Sequence, residues 1–323
     1  MGDHVQQSHA TRLRIWQIGT LVLLVVGYSG YYLCRSNLSV VKPSLIKEWE
    51  GQGIENAEAL RLLGRLDSLG VLAYAVGKFL SGGVGDYFGG RRNFLGGMAG
   101  AVFFTILFAS GSGMPIFTLA WMGNRLVQSA GWSGMVKTSG RWFNYTAHGT
   151  ILAIISLSYL WGDAAARWFM GQLIQEGLGW RSIFFVNASL LAGWLVLCLA
   201  RLRESPRDLG MAEATVNPVN LYGKAGDDPR PGGLVALLVP MLCSPSFWCV
   251  CLLSLAMTFV RESFNNWTTT YFTQVLGILP DRAAKLSAGF PFWGGCSVLL
   301  AGLFSDQLGR VGRAFLIFLG LLL

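Results

Sequence analysis

Apolar and polar residues follow one another along this chain in long blocks, not in the short periods of a soluble fold. Eight mostly apolar stretches reach the roughly 20 residues a helix needs to cross a bilayer. They run approximately Ile15 to Val41, Leu66 to Gly85, Phe94 to Gly111, Ile116 to Val136, Thr150 to Ile174, Ile183 to Leu202, Phe247 to Val275 and Ala284 to Phe304. A ninth begins near Arg313 and meets the end of the sequence at Leu323. The polar blocks between them set the connections. Ser112-Gly113-Met114-Pro115 leaves room only for a tight hairpin between the third and fourth spans. Glu48 to Arg65 mixes both charge signs and is expected as an outer loop with room for a short helix. Arg203 to Pro240 carries Pro206, Pro218, Pro229 and Pro231 and is expected as an irregular linker. The pattern predicts an all-α membrane protein in three parts: a six-helix transmembrane half (residues 1–202), a cytoplasmic linker (203–240) and the start of a second transmembrane half (241–323). The first apolar run is too long for a cleaved signal and lacks a small-residue cleavage site, so it is expected to stay as the first helix.

Two polar interruptions repeat each other. Gly82-Gly-Val-Gly-Asp86-Tyr-Phe-Gly89-Gly-Arg91-Arg92 follows the second span, and Gly302-Leu-Phe-Ser-Asp306-Gln-Leu-Gly309-Arg310-Val-Gly-Arg313 follows the eighth. Parallel repeats at corresponding places in a hydropathy pattern mark transporters whose two halves rock about a site near the bilayer midplane. In each loop the Asp can accept from helix N-terminal amides while the Arg reaches carboxylates or carbonyls of neighbouring helices. Asp86, Arg91, Asp306 and Arg310 are therefore candidates for a latch holding one access state, beside the plainer reading of turn chemistry and topology.

Composition agrees with the block pattern. The chain is 53% hydrophobic and 13% charged with mean hydropathy +0.48, against about 25% charged residues in a soluble domain. Its net charge of +8 does not call for a nucleic-acid partner. With the N-terminus cytoplasmic, thirteen of the 25 basic residues fall on the cytoplasmic side, seven outside, Lys42 among them, and five within spans. That bias fixes topology by the positive-inside rule. The six cysteines lie in or beside apolar spans without metal-like spacing and read as small packing residues. The glycines in the spans, such as Gly96, Gly97, Gly100, Gly294 and Gly295, read as helix-packing positions. No Ser/His/Asp, metal-ligand or phosphate-loop constellation is present, so neither an enzyme, a metal nor a cofactor is expected.

The charges inside the spans carry the chemistry, because a charge at the bilayer centre costs on the order of 2.5–3.5 kcal/mol even on the milder scale. The basic set is Arg35, Lys78, Arg125, Arg167 and Arg261. Arg261 sits near the middle of the seventh span and Arg35 near the end of the first. If those spans are equivalent members of two repeats, the two guanidinium groups face each other across a central cavity. Lys78 lies one turn beyond Tyr74 on the same helical face, so ring and ammonium project together. Such a cluster would repel itself without an anion, and the planar fork of arginine suits phosphate oxygens. Asp163 and Arg167, spaced i, i+4, read as a self-neutralising pair, while Arg125 braces helices or faces the cavity.

Several segments together resemble one family. They are Gly27-Tyr28 with Tyr31-Tyr32-Leu-Cys-Arg35-Ser-Asn37, Ala73-Tyr74-Ala-Val-Gly-Lys78-Phe79, Asn124-Arg-Leu-Val-Gln128-Ser-Ala-Gly131-Trp132, Glu204-Ser-Pro206-Arg-Asp208-Leu-Gly210, and Arg261 followed by Asn266-Trp267-Thr-Thr-Thr-Tyr271. In order and spacing they are similar to the organophosphate:phosphate antiporters of the major facilitator superfamily, which include glycerol-3-phosphate, hexose-phosphate and glucose-6-phosphate transporters. The resemblance implies a twelve-helix bundle, of which this chain would hold about eight to nine helices as a C-terminally truncated piece. It implies that Arg35 and Arg261 bind the phosphoryl group, that Lys78, Tyr32 and Tyr74 assist, and that an organic phosphate is exchanged for inorganic phosphate by rocker-switch alternating access. It also draws Trp132 and Tyr159 into the substrate set. Trp132 is followed by Ser133-Gly134 where Pro-Pro is usual, and Tyr159 falls where the glycerol-phosphate branch carries a histidine. The expected partners are a small phosphate-bearing anion and the lipid bilayer, with the protein monomeric in the plasma (inner) membrane. A sugar-phosphate sensor on the same scaffold, or a proton-coupled facilitator titrating Asp163 or Glu262, remain as alternatives.

Overall fold

The computed structural model describes residues 2–215, 239 and 242–300, with side chains from residue 11 onward apart from 82–87. The described residues form helices and connecting turns, with no strand among them. In chain order these are α1 (Gly2–Arg35), α2 (Asn37–Gly51), α3 (Asn56–Phe88), α4 (Gly90–Ser110), α5 (Met114–Trp142), α6 (His148–Gln175), α7 (Trp180–Arg201), α8 (Pro245–Gln274), α9 (Pro280–Ser287) and α10 (289–300).

The first apolar run becomes two helices with a bend between them. At Ser36 two backbone bonds span the bend, Ser36 N donating to Tyr32 O at 2.9 Å and Val40 N to Ser36 O at 3.1 Å, while Leu38 N donates to the Asn37 side-chain oxygen at 2.8 Å. Helix continues well past Val41, to Gly51, so residues 11–51 form one apolar path. The hydrophilic segment Glu48 to Arg65 is accordingly not a loop. It consists of the ends of α2 and α3 joined by a turn at 52–55, with Gly53 at φ 89°. Its charges decorate helix ends whose apolar sides, Trp49, Ala59 and Leu63, are buried.

The hairpin between α4 and α5 forms as the sequence requires. Gly113 adopts φ 83°, a region that strains residues with a Cβ, and Pro115 follows at the first turn of α5, where its missing N–H costs nothing. Beyond the turn the two helices run together at glycine contacts. A Cβ on Gly134 would lie 2.5 Å from the Phe94 backbone nitrogen, and one on Gly90 would lie 2.8 Å from the Gly134 carbonyl oxygen. In lipid, where apolar burial gives helices no reason to associate, such close backbone approach supplies the packing. Gly97 and Gly100 serve the same contact against Val127, whereas Gly96 faces open space.

Inside the bundle the core falls into two levels. One, near the 52–55 turn, stacks Phe108 on Phe117 and Phe184, with ring centroids 4.7 and 4.9 Å apart, and adds Trp121 and Trp180. The other gathers Leu24, Tyr28, Tyr31, Phe94, Met98 and Ile155 toward the opposite end. Outward-facing residues such as Ile15, Phe103, Leu119 and Val196 are large, apolar and exposed. Five segments are long and apolar enough to cross a membrane: Thr11–Gly51, Gly90–Ser110, Tyr145–Gln175, Trp180–Arg201 and Pro245–Gln274. Helices α3 and α5 are 33 and 29 residues long but carry charges along their length, including the buried Asp67 and Arg125. Of the cysteines, Cys34 and Cys198 are buried as packing residues, whereas Cys243 and Cys249 are exposed.

Gly134→Leu should separate α4 from α5 and lower stability by about 1–3 kcal/mol or more, as overpacking does. Thermal unfolding of the detergent-purified protein checks this, with Gly96→Ala, which has nothing within 4 Å of its added Cβ, expected to keep the midpoint or raise it slightly, since alanine favours the helix.

Candidate functional site

A cavity of about 660 Å³ lies between the α1–α7 bundle and the α8–α10 segment. Its walls come from the α1–α2 bend, the middles of α5 and α6, the central turns of α8, and α10. Four of the seven substrate-binding candidates from the sequence line it: Tyr32 and Arg35 from α1, Tyr159 from α6 and Arg261 from α8. The Arg35 guanidinium lies over the Tyr74 ring at 4.3 Å and near the Tyr32 ring at 5.5 Å. On the same Tyr74 ring, the Lys78 ammonium sits 5.2 Å from the centroid. Tyr74 and Lys78 thus reach the cavity through Arg35 and are not themselves part of its wall. Trp132 stands one layer back, edge-on to Tyr159 at 6.0 Å and tilted against Tyr28 at 5.7 Å.

The buried charges distribute themselves unevenly. Asp163 and Arg167 form the expected i, i+4 pair, with Arg167 Nε 3.1 Å from both carboxylate oxygens, and the Ser36 hydroxyl also donates to Asp163. Glu262 lies between Arg125 and Arg261, at 3.5 and 3.4 Å. Arg35 has no carboxylate at ion-pair distance among the described residues and rests on aromatic faces, a contact worth only about 0.5–2 kcal/mol.

Lys42 is the residue the sequence reading misplaced. It is wholly buried instead of lying outside, ion-paired and hydrogen-bonded to Asp67 of α3. The helix does not stop at the Lys42-Pro43 pair: α2 accommodates Pro43 and carries Lys42 inward. Lys42 follows Arg35 by seven residues, two helical turns, and that spacing was the available signal. The Lys42 ammonium also donates to Asn266 O at 2.8 Å and lies 4.0 Å from the Trp267 ring centroid. Arg167 does the equivalent one residue earlier, its Nη2 donating to Asn265 O at 2.8 Å. Two cations of the α1–α7 bundle therefore grip consecutive backbone carbonyls of α8. Lys285 of α9, hydrogen-bonded to Gln175 of α6, adds a third tie at the same end. The opposite end of α8, from Phe259 back toward Pro245, is exposed among the described residues. Among the described residues, the two groups of helices meet at one end and part at the other.

At the parted end, the Gly/Asp/Arg loop between α3 and α4 is held by Glu204. Its carboxylate accepts from the Gly90 and Arg91 amides at 2.8 and 2.7 Å, on the positive end of α4, while Gly89 turns the chain at φ 87°. The Arg91 side chain donates to Leu202 O at 2.7 Å and Leu199 O at 3.0 Å at the C-terminal end of α7. These contacts of Arg91 all stay within residues 90–204. The Asp86 side chain, Asp306 and Arg310 lie outside what is described. The capping role of Glu204 was not foreseen, because Glu204 is remote from the loop in sequence and only the fold returns the chain after α7 to the start of α4.

These features define a multi-pass helical membrane protein with a cavity between two groups of helices, apolar over much of its surface but carrying several arginines. A profile of the Major Facilitator Superfamily matches residues 24–323, and the chain belongs to that superfamily of transporters. Similar curated proteins include a probable hexose phosphate transport protein of Chlamydia pneumoniae, 24% identical over 95% of this chain and 68% of its own. The glycerol-3-phosphate transporter of Bacillus subtilis is also 24% identical, over 97% of this chain and 70% of its own. The membrane sensor protein UhpC of Salmonella typhimurium is 28% identical over 95% and 69%. These relatives fall in the organophosphate group that the sequence resembles. Among solved structures, a bacterial homologue of the human lysosomal transporter Spinster, inward-facing and unoccupied, superposes with TM-score 0.72 at 15% identity, over 91% of this chain and 63% of that one. A D-xylose–proton symporter gives TM-score 0.65 at 16% identity, over 90% and 70%. This chain spans about two thirds of the length of the proteins it matches.

Lys42→Met or Asp67→Leu alone should destabilise by about 3–5 kcal/mol, because each leaves the other buried charge uncompensated. The double replacement Lys42→Met with Asp67→Leu should recover more than half of that loss. Unfolding midpoints of the three variants in detergent give the coupling directly.

Proposed function

We propose that this chain forms the anion-gripping part of a secondary transporter that exchanges an organic phosphate, of the sugar-phosphate or glycerol-phosphate kind, for inorganic phosphate. The observation that carries the reading is that Arg35 and Arg261, from helices opening the two proposed halves, line one cavity. The charged residues lining it among those described are four arginines, Arg35, Arg125, Arg167 and Arg261, against two carboxylates, Asp163 and Glu262. A surplus of two positive charges matches a phosphate monoester, whose second ionisation lies near pH 6 and whose charge at neutral pH approaches −2. Lys78, 5.2 Å from the Tyr74 ring centroid, adds to that field. Tyr32 and Tyr159 supply hydroxyls and ring faces for the organic moiety, and Trp132 supports Tyr159 from behind.

In this reading residues 1–202 and 241–323 belong to two halves joined by the linker 203–240, and the N-terminus is cytoplasmic in the plasma (inner) membrane. The end closed by Lys42 and Arg167 then faces outside and the cavity opens inward. Opening outward breaks the bonds to Asn265 O and Asn266 O, each a charge-assisted hydrogen bond worth about 1.5–3 kcal/mol net. Only a ligand that binds one state better than another can shift that balance. A phosphate drawn between Arg35 and Arg261 does so by pulling α1 and α8 together on the open side. Arg167 belongs to both events, because it lines the cavity and holds Asn265 O.

A sensor built on the same scaffold is the second reading, favoured by the likeness to the membrane sensor protein UhpC. Labelled inorganic phosphate separates the two: a transporter exchanges it rapidly across a proteoliposome membrane and a sensor binds without exchange. For the complete gene product, Arg35→Lys and Arg261→Lys should each cut phosphate exchange by at least about tenfold without loss of membrane insertion, since a point charge does not replace a two-pronged contact. Normal exchange by both variants would overturn the assignment.

A further inference from the structure

The three carboxylates buried in or beside the cavity are held in different ways. Asp67 is bonded directly to Lys42. Asp163 is 4% exposed and is held by the Ser36 hydroxyl and both sides of the Arg167 Nε contact. Glu262 is 18% exposed, and its partners among the described residues all stand at the limit of a hydrogen bond: Arg125 Nη2 at 3.5 Å, Arg261 Nη2 at 3.4 Å and Asn266 Nδ2 at 3.4 Å. Charge-assisted bonds of this kind normally close to about 2.7–2.9 Å. Its chief partner is short of contacts too. The Arg125 side chain is 3% exposed and lines the cavity, yet its Nε has no hydrogen-bond acceptor among the described residues. The other face of that guanidinium is covered by the Trp121 ring at 5.3 Å. A buried guanidinium with an orphan N–H, beside a loosely held carboxylate at the wall of an open cavity, is poorly compensated as it stands.

We propose that Glu262 is a displaceable internal anion: its carboxylate occupies the space between Arg125 and Arg261 while the cavity is empty, and an incoming phosphate expels it and takes Arg125 as a third guanidinium ligand. The proposal rests on the reading of the cavity as a phosphate site and adds a residue pair to it. Competition is built into the geometry, since the phosphate oxygens and the carboxylate oxygens need the same N–H groups. A tetrahedral anion offers more acceptors than a carboxylate, and one of them can satisfy Arg125 Nε. Because Glu262 adjoins Arg261 in the chain, it does not leave the site when displaced and returns as soon as the phosphate departs. It thereby limits affinity and speeds release.

The test is binding of radiolabelled inorganic phosphate to the purified complete gene product in lipid nanodiscs, with proteoliposome exchange measured beside it. Glu262→Gln keeps the side chain's shape, removes the competing charge, and is expected to lower the phosphate Kd at least about tenfold while slowing exchange turnover. Arg125→Gln is expected to raise the Kd by at least about tenfold, and to erase the gain when combined with Glu262→Gln. Glu262→Asp, which keeps the charge on a shorter arm, is expected to fall between wild type and Glu262→Gln, and serves if Glu262→Gln does not fold. Phosphate should also raise the thermal midpoint of Glu262→Gln more than that of the wild type. If the wild type binds phosphate but the Glu262 variants bind it equally or more weakly, the displacement is wrong and the site reading survives. If the wild type binds no phosphate, both fall together.

Discussion

The arrangement depends on one constraint: a cation taken into a helical bundle in lipid must be matched by an anion, and this chain carries more cations there than anions to match them. Lys42 takes Asp67 and Arg167 takes Asp163, each in a compact buried contact. Arg125 and Arg261 share Glu262 at longer range. Arg35 is left with the faces of Tyr74 and Tyr32. The order of satisfaction follows position. Lys42 and Arg167, which hold the closed end, are tightly paired, whereas Arg35, Arg125 and Arg261, which line the cavity away from that end, are loosely paired or, for Arg35, without a carboxylate partner among the described residues. Unmatched positive charge is therefore concentrated where a solute can enter and kept away from where the helices meet.

The same cations also join the two groups of helices. Lys42 and Arg167 are neutralised by carboxylates on their own side, yet each has an N–H to spare for a carbonyl of α8. A neutralised donor on a backbone acceptor is a modest tie, reversible without stranding a charge in lipid. A cross-interface ion pair would leave two bare charges each time it opened, at a cost of several kcal/mol. Gripping Asn265 O and Asn266 O avoids that cost and leaves the closed end able to open.

What could be read from the sequence was whatever depends on blocks of residues or on close spacing. The spans follow from length and polarity, the α4–α5 hairpin from Gly113 and Pro115, and the Asp163–Arg167 pair from the four-residue spacing. Arg35 and Arg261 stood out because isolated charges in apolar runs are conspicuous. The errors occurred where polarity was taken to mean solvent. Lys42 beside Pro43 looked like the end of a helix, and Glu48 to Arg65 looked like a loop, because a window average does not distinguish a charge facing water from one facing Asp67. Glu204 was missed because its partner amides lie more than 110 residues earlier in the chain. The loosely held Glu262 was also illegible, since only coordinates reveal that its three partners stand too far away for good bonds.

The bend at Ser36 lies between the two levels of the molecule. Two backbone bonds span it, Tyr32 O to Ser36 N and Ser36 O to Val40 N, while Leu38 N turns to the Asn37 side chain and the Cys34 and Leu33 carbonyls accept from Gln128 and Asn187, so α1 and α2 meet at a joint. Arg35 sits at this joint and Lys42 a short way along the outer arm. Under the proposed exchange, the arm carrying Lys42 is free to part from α8 while Arg35 keeps its place beside the chamber, so the seal and the anion site are joined by a hinge and not fixed to one another.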